Sequence, residues 1–149
     1  MKPRMLQMVL LVPVLLVSVS CGMDDLSQQG LAINFSPRDL PAGTAYIRYY
    51  VLTVQSKAGG TIDCDNFFVD NPRESVGDYA ADTVDFGTVA FSATEGGAVV
   101  IKNLPEGAYV FYVEALDDMR STLTCGCGEG AIVNGGKTNI PVLLVDDCL

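Results

Sequence analysis

Histidine and tryptophan are both absent from this 149-residue chain. Without histidine there is no Ser-His or Cys-His dyad and no imidazole to complete a zinc site. Without tryptophan the broadest ring for stacking on sugars is missing. Neither G-x-S-x-G, nor a P-loop, nor a dinucleotide fingerprint occurs, and the D-x-[DN]-x-[DN]-G order of an EF-hand is also missing. Cations are scarce: nine Lys plus Arg face eighteen Asp plus Glu. Such a chain is repelled by nucleic acid and by anionic lipid surfaces. A run of about 20 apolar residues, the length needed to span a bilayer, is lacking too. Beyond the amino terminus, no segment keeps a helical period.

What is present begins with MKPRMLQMVLLVPVLLVSVSCG. Lys2 and Arg4 stand in front of an apolar run from about Met8 to Val19, interrupted by Pro13. Positive residues, a short apolar stretch and small residues form the layout of a secretory signal. Ser18-Val19-Ser20-Cys21 is similar to the lipobox of bacterial lipoproteins, in which an aliphatic residue and two small ones precede cysteine. Val19, Ser20 and Cys21 match that pattern, and Ser18 departs from it. The small-x-small rule of ordinary signals cuts at the same bond, so both readings start the mature chain at Cys21. The resemblance implies a lipid, palmitate included, on Cys21, which makes the membrane a partner. In lipoproteins of Gram-negative bacteria an Asp just after the cysteine resembles an inner-membrane retention signal; Gly22 stands there instead, which points to the outer membrane of a Gram-negative cell. The alternative is a soluble secreted or periplasmic domain without lipid.

Cysteine parity bears on the choice. The five cysteines are Cys21, Cys64, Cys125, Cys127 and Cys148, and an odd number in an exported chain leaves one thiol over. With Cys21 lipidated, four remain for two disulfides. Cys125 and Cys127, two apart in a strand, point to one face and bridge each other poorly. Cys64 and Cys148 are therefore each expected to pair with one of them, in either order. The C-x-C spacing does not suit zinc, so a disulfide set in an oxidising compartment is the reading.

Removal of residues 1–20 leaves seven Lys plus Arg against eighteen acids, a formal charge of −11. Residues 21–30, with the polar stretch GMDDLSQQG, read as a tether from the anchor. Residues 31–149 read as one domain. Strand signals fill it: Leu31–Phe35, Thr44–Gln55, Thr61–Val69, Phe86–Phe91, Ala98–Lys102, Ala108–Leu116, Ser121–Cys127 and Thr138–Val145. This spacing predicts an all-β fold, a single antiparallel sandwich of about seven or eight strands. In the second strand, Ile47, Tyr49 and Val51 face one side and Arg48, Tyr50 and Leu52 the other, as suits a central strand.

Leu104-Pro105-Glu106-Gly107-Ala108-Tyr109 resembles the L-P-x-G-x-Y corner of fibronectin-III-like, prealbumin-like and carboxypeptidase-regulatory-like sandwiches. The resemblance implies an immunoglobulin-like or prealbumin-like domain, with the Tyr109 hydroxyl bonded back to the backbone. LPAGTAYIRYYV at residues 40–51 echoes LPEGAYVFYV at 104–113, the same turn-into-strand solution used twice.

Residues 71–84 read as a long acidic loop. Asp63, Asp65 and Asp70 are the calcium candidates, with Asp78, Asp82 and Asp85 nearby. The leading functional expectation is a non-catalytic, lipid-anchored sandwich without cofactor, displaying loops to a protein partner or serving as a structural envelope component. A small carbohydrate- or calcium-binding module and a carboxylate-based enzyme are the other classes.

Overall fold

The computed structural model describes residues 30–69, 73–133, 137–145 and 148. The signal segment, Cys21 and the tether up to residue 29 lie outside the described residues, as does Asp70. Among the described residues there are eight strands: β1 (Gly30–Phe35), β2 (Tyr46–Thr53), β3 (Thr83–Ala90), β4 (Gly97–Lys102), β5 (Gly107–Leu116), β6 (Thr122–Ile132), β7 (Lys137–Asn139) and β8 (Leu143–Val145). They form a three-stranded sheet in the order β4-β1-β7 and a five-stranded sheet in the order β3-β2-β5-β6-β8. All pairs are antiparallel except β1 with β7, which run parallel from Gly30↔Lys137 to Ala32↔Asn139.

The period-two pattern explains which faces meet. Leu31, Ile33 and Phe35 of β1 and Val99 and Ile101 of β4 are buried against Ile47, Val51, Phe111, Val113 and Ala115 of the larger sheet. Side chains at alternate positions share a face, so this set is the inner layer of the sandwich. β5 also buries Val110 and Tyr112, on its outer face. A strand apolar on both sides needs cover on both sides, and the outer cover comes from the segment between β2 and β3.

The corner after β4 is formed as its residues suggest. Leu104 is buried, Asn103 adopts φ 62°, and the Tyr109 hydroxyl donates to the Pro105 carbonyl at 2.9 Å. Asparagine tolerates this left-handed conformation better than most residues.

Two expected strands turn out otherwise. Thr61–Val69 is not a strand; Cys64–Phe68 forms a short helix, α1. The Asp63 side chain accepts from the Asp65 and Asn66 backbone N–H groups at 3.0 and 3.3 Å, and Asn66 Oδ1 accepts from the Asp63 N–H at 2.8 Å. This reciprocal capping box starts a helix where β-propensity alone suggests extension.

The carboxyl-terminal stretch, expected as a single strand over Thr138–Val145, is divided between the sheets, β7 pairing with β1 and β8 with β6. Pro141 has no N–H for a ladder and falls at the break. The crossing chain lies on a stripe of glycines in β6. A Cβ at Gly126 would lie 2.6 Å from the Leu143 carbonyl oxygen, and one at Gly128 would lie 2.3 Å from that of Pro141. At Gly130 it would meet Ile140 Cδ1 at 2.4 Å. The missing side chains make the trough through which the chain changes sheets.

Candidate functional site

The 54–82 excursion leaves β2, folds over the outer face of the larger sheet and returns into β3. Ile62 and Phe67 pack with Leu52, Val110 and Tyr112 in a second apolar cluster. The rings interlock: Phe67 lies 5.1 Å from Tyr112 and 5.7 Å from Tyr79 between centroids, and Phe68 stacks on Tyr112 at 6.0 Å. Burial pushes the Tyr112 phenol up to about 12, with lesser contributions from Glu114 and then Tyr50.

Two disulfides staple this layer. Cys64 at the start of α1 bonds Cys127, and Cys148 bonds Cys125, with Cα–Cα distances of 5.7 and 5.8 Å. Of the two pairings left open by the sequence, this is the one formed. Cys125 and Cys127 do share a face of β6, turned towards the second cluster.

The acidic residues around the excursion brace its turns. Asp63 caps α1, with Asp65 in its first turn. Ser75 caps a 3₁₀ turn, Val76–Tyr79, and Asp78 within it accepts from the Ser75 N–H at 2.8 Å. Tyr79 donates its hydroxyl to Glu74. Glu129 of β6 accepts from the Cys64 N–H at 2.9 Å. Asp82 is buried, and its carboxylate accepts from the Lys57 N–H at 2.6 Å and the Ser56 hydroxyl at 3.1 Å. The expected open loop over 71–84 is thus, from residue 73 on, a capped turn followed by the start of β3. Among the described residues, no group of three or more Cys, Asp or Glu gathers to hold a metal ion; Asp63 and Asp65 are placed as helix-terminal residues.

Replacing Asp82 with alanine is expected to cost about 2 kcal/mol, because two donors lose a charged acceptor in a buried place. Chemical denaturation checks this, and an unchanged midpoint would show that the 56–60 turn stands without it.

Two concavities flank the 3₁₀ turn. One, of about 230 Å³, is lined by Tyr50, Val76, Gly77, Ala80, Thr83 and Phe86. Phe86 is 71% exposed yet lies nearly parallel to Tyr50, at 6.5 Å and 16°. The other, of about 400 Å³, is polar, with Ser56, Thr61, Asn66, Glu74, Asp78 and Asp82 in its wall. The first offers an apolar surface; the second offers carboxylates already engaged in turn hydrogen bonds. The Phe86 groove was not anticipated from sequence. The signal was there in Asp85-Phe86-Gly87, a large ring at an outward position of an alternating strand. Comparison of the chain with protein-family models, curated proteins and solved structures gives no match.

Proposed function

We propose that this chain is an exported, non-catalytic β-sandwich module that presents its loops to a protein partner at the cell envelope. Of the two sandwich types implied by the corner motif, the strand order favours the prealbumin-like one. An immunoglobulin sandwich keeps its first, second, fourth and fifth strands in one sheet, whereas β1 and β4 pair apart from β2 and β5 here.

More particularly, the module is a lipoprotein, anchored by acylated Cys21 in the outer membrane of a Gram-negative cell. The observation that carries this is the cysteine balance. The four domain cysteines pair with one another, which suits an oxidising compartment. Cys21 is left as the unpaired thiol, directly after a signal-like segment.

The intact mass of the mature protein extracted from membranes tests the reading. It should equal residues 21–149 plus acyl chains, and Cys21→Ser should remove the added mass and move the protein to the soluble fraction. An unmodified Cys21 in the membrane-purified protein would overturn the anchor and leave a soluble exported domain.

A further inference from the structure

We infer that the acyl chain on Cys21 stands the sandwich on end. The corner at 103–106 and the turn at 56–60 then lie towards the lipid headgroups, and the turns at 36–39, 92–96 and 117–121 face the medium. This rests on the lipoprotein reading above and adds the surface that meets the membrane.

The argument starts from register. Gly30, the first residue of β1, pairs with Lys102, the last residue of β4. The corner at 103–106 then carries the chain from β4 into β5, so both sheets share this end. Thr53, closing β2, pairs with Tyr109 near the start of β5, which places the 56–60 turn at the same end. The opposite end holds the close of β1 at Phe35, the close of β3 at Ala90 and the β5–β6 connection.

Covalent reach then decides. Nine peptide steps separate Cys21 from Gly30, a span of at most about 30 Å. β5 alone, nine steps from Gly107 to Leu116, is about as long, roughly 30 Å. Only a fully drawn-out chain laid along the sheet would bring Cys21 level with the far turns. Nothing would then remain to enter a bilayer beyond them. Every shorter conformation keeps the anchor at the end where β1 begins.

Charge works against lying flat. The mature chain carries a formal −11, and like charge on a membrane surface repels it within about a Debye length, roughly 8 Å in physiological salt. The outward end is built from short, braced turns. Ser92 Oγ accepts from the Thr94 and Glu95 N–H groups at 3.3 and 3.2 Å, and Asp117 Oδ1 accepts from the Ser121 N–H at 2.7 Å. Arg120 sits over the Tyr46 ring at 4.9 Å, beside Met119, which is 82% exposed.

The test uses the acylated protein purified from membranes and reconstituted into vesicles of phosphatidylcholine and anionic phosphatidylglycerol that carry nitroxide-labelled headgroups. Single fluorophores are attached, without reductant, at Glu106→Cys or Ala58→Cys on one end and at Met119→Cys or Arg38→Cys on the other. All four positions are exposed, and the second position at each end covers loss of folding in the first. Quenching is expected to be several-fold stronger at 106 and 58 than at 119 and 38. Equal quenching, or the reverse order, in protein whose mass shows the acyl chains would overturn the orientation and leave the anchor standing. A mass without acyl chains would overturn both.

Discussion

Exchanging Cys64 and Cys127 together for alanine is expected to lower the folding free energy by about 4 kcal/mol, the largest single loss foreseen for this molecule. The bond joins residues 63 positions apart, and the chain-entropy model assigns a loop of that length roughly 4 kcal/mol at 25 °C. The Cys125–Cys148 bridge spans 23 positions, for which the same model gives about 3.5 kcal/mol. For a domain of this size the larger figure corresponds to a drop in Tm of roughly 15 °C. The loss should be local first. α1 and Ile62 cover the outer face of β5, so amide exchange in 62–68 should speed up before that of β5. Calorimetry and hydrogen exchange on the double variant measure both effects. A fall in Tm of only a few degrees would mean that the apolar cluster, rather than the staple, holds the excursion down.

A second large effect is expected at Gly128. Gly128→Val would push a Cβ to within 2.3 Å of the Pro141 carbonyl oxygen and 2.9 Å of Ile140 Cγ2. The nearest obstacle is backbone, which moves only by displacing the crossing segment. Overpacking of this kind costs roughly 3 kcal/mol. Because Ile140 is itself a buried member of the inter-sheet core, the damage should spread to β7 and β8. Ala58→Val, on an exposed turn, is the matched control and should change stability by less than about 0.5 kcal/mol. The denaturant midpoint for Gly128→Val should fall with little change in slope. A midpoint near that of the control would mean that the carboxyl-terminal segment is not seated on β6.

The physics behind these two sites also explains what was legible in the sequence. Strands whose faces differ announce themselves, so β1 and its inward residues follow from alternation alone. The corner at Leu104, Pro105, Gly107 and Tyr109 was legible because proline and a returning tyrosine constrain a few consecutive residues. The choice of disulfide partners was not, because Cys125 and Cys127 share a face and differ only in which distant segment lies opposite. α1 was hidden because its cap, Asp63 with Asn66, is a local device that overrides the β-forming character of Phe67, Phe68 and Val69. The glycines of Thr124-Cys125-Gly126-Cys127-Gly128-Glu129-Gly130 look like a weak strand until the chain that fills their place is known. The acidic loop misled for a related reason: Asp78 and Asp82 look like solvated or metal-seeking charges in sequence, yet their partners are backbone amides of nearby turns.

The parallel contact between β1 and β7 sets the order in which the molecule can be completed. Of the described strands β1 is the first to be made, yet one of its two neighbours arrives about a hundred residues later. Until then its apolar residues Leu31, Ile33 and Phe35 have only β4 to pair with across the small sheet. Contacts so distant in sequence slow folding, because the loop between them must close first. A chain with this wiring completes its small sheet and its second disulfide only near its end, when β7, β8 and Cys148 arrive together.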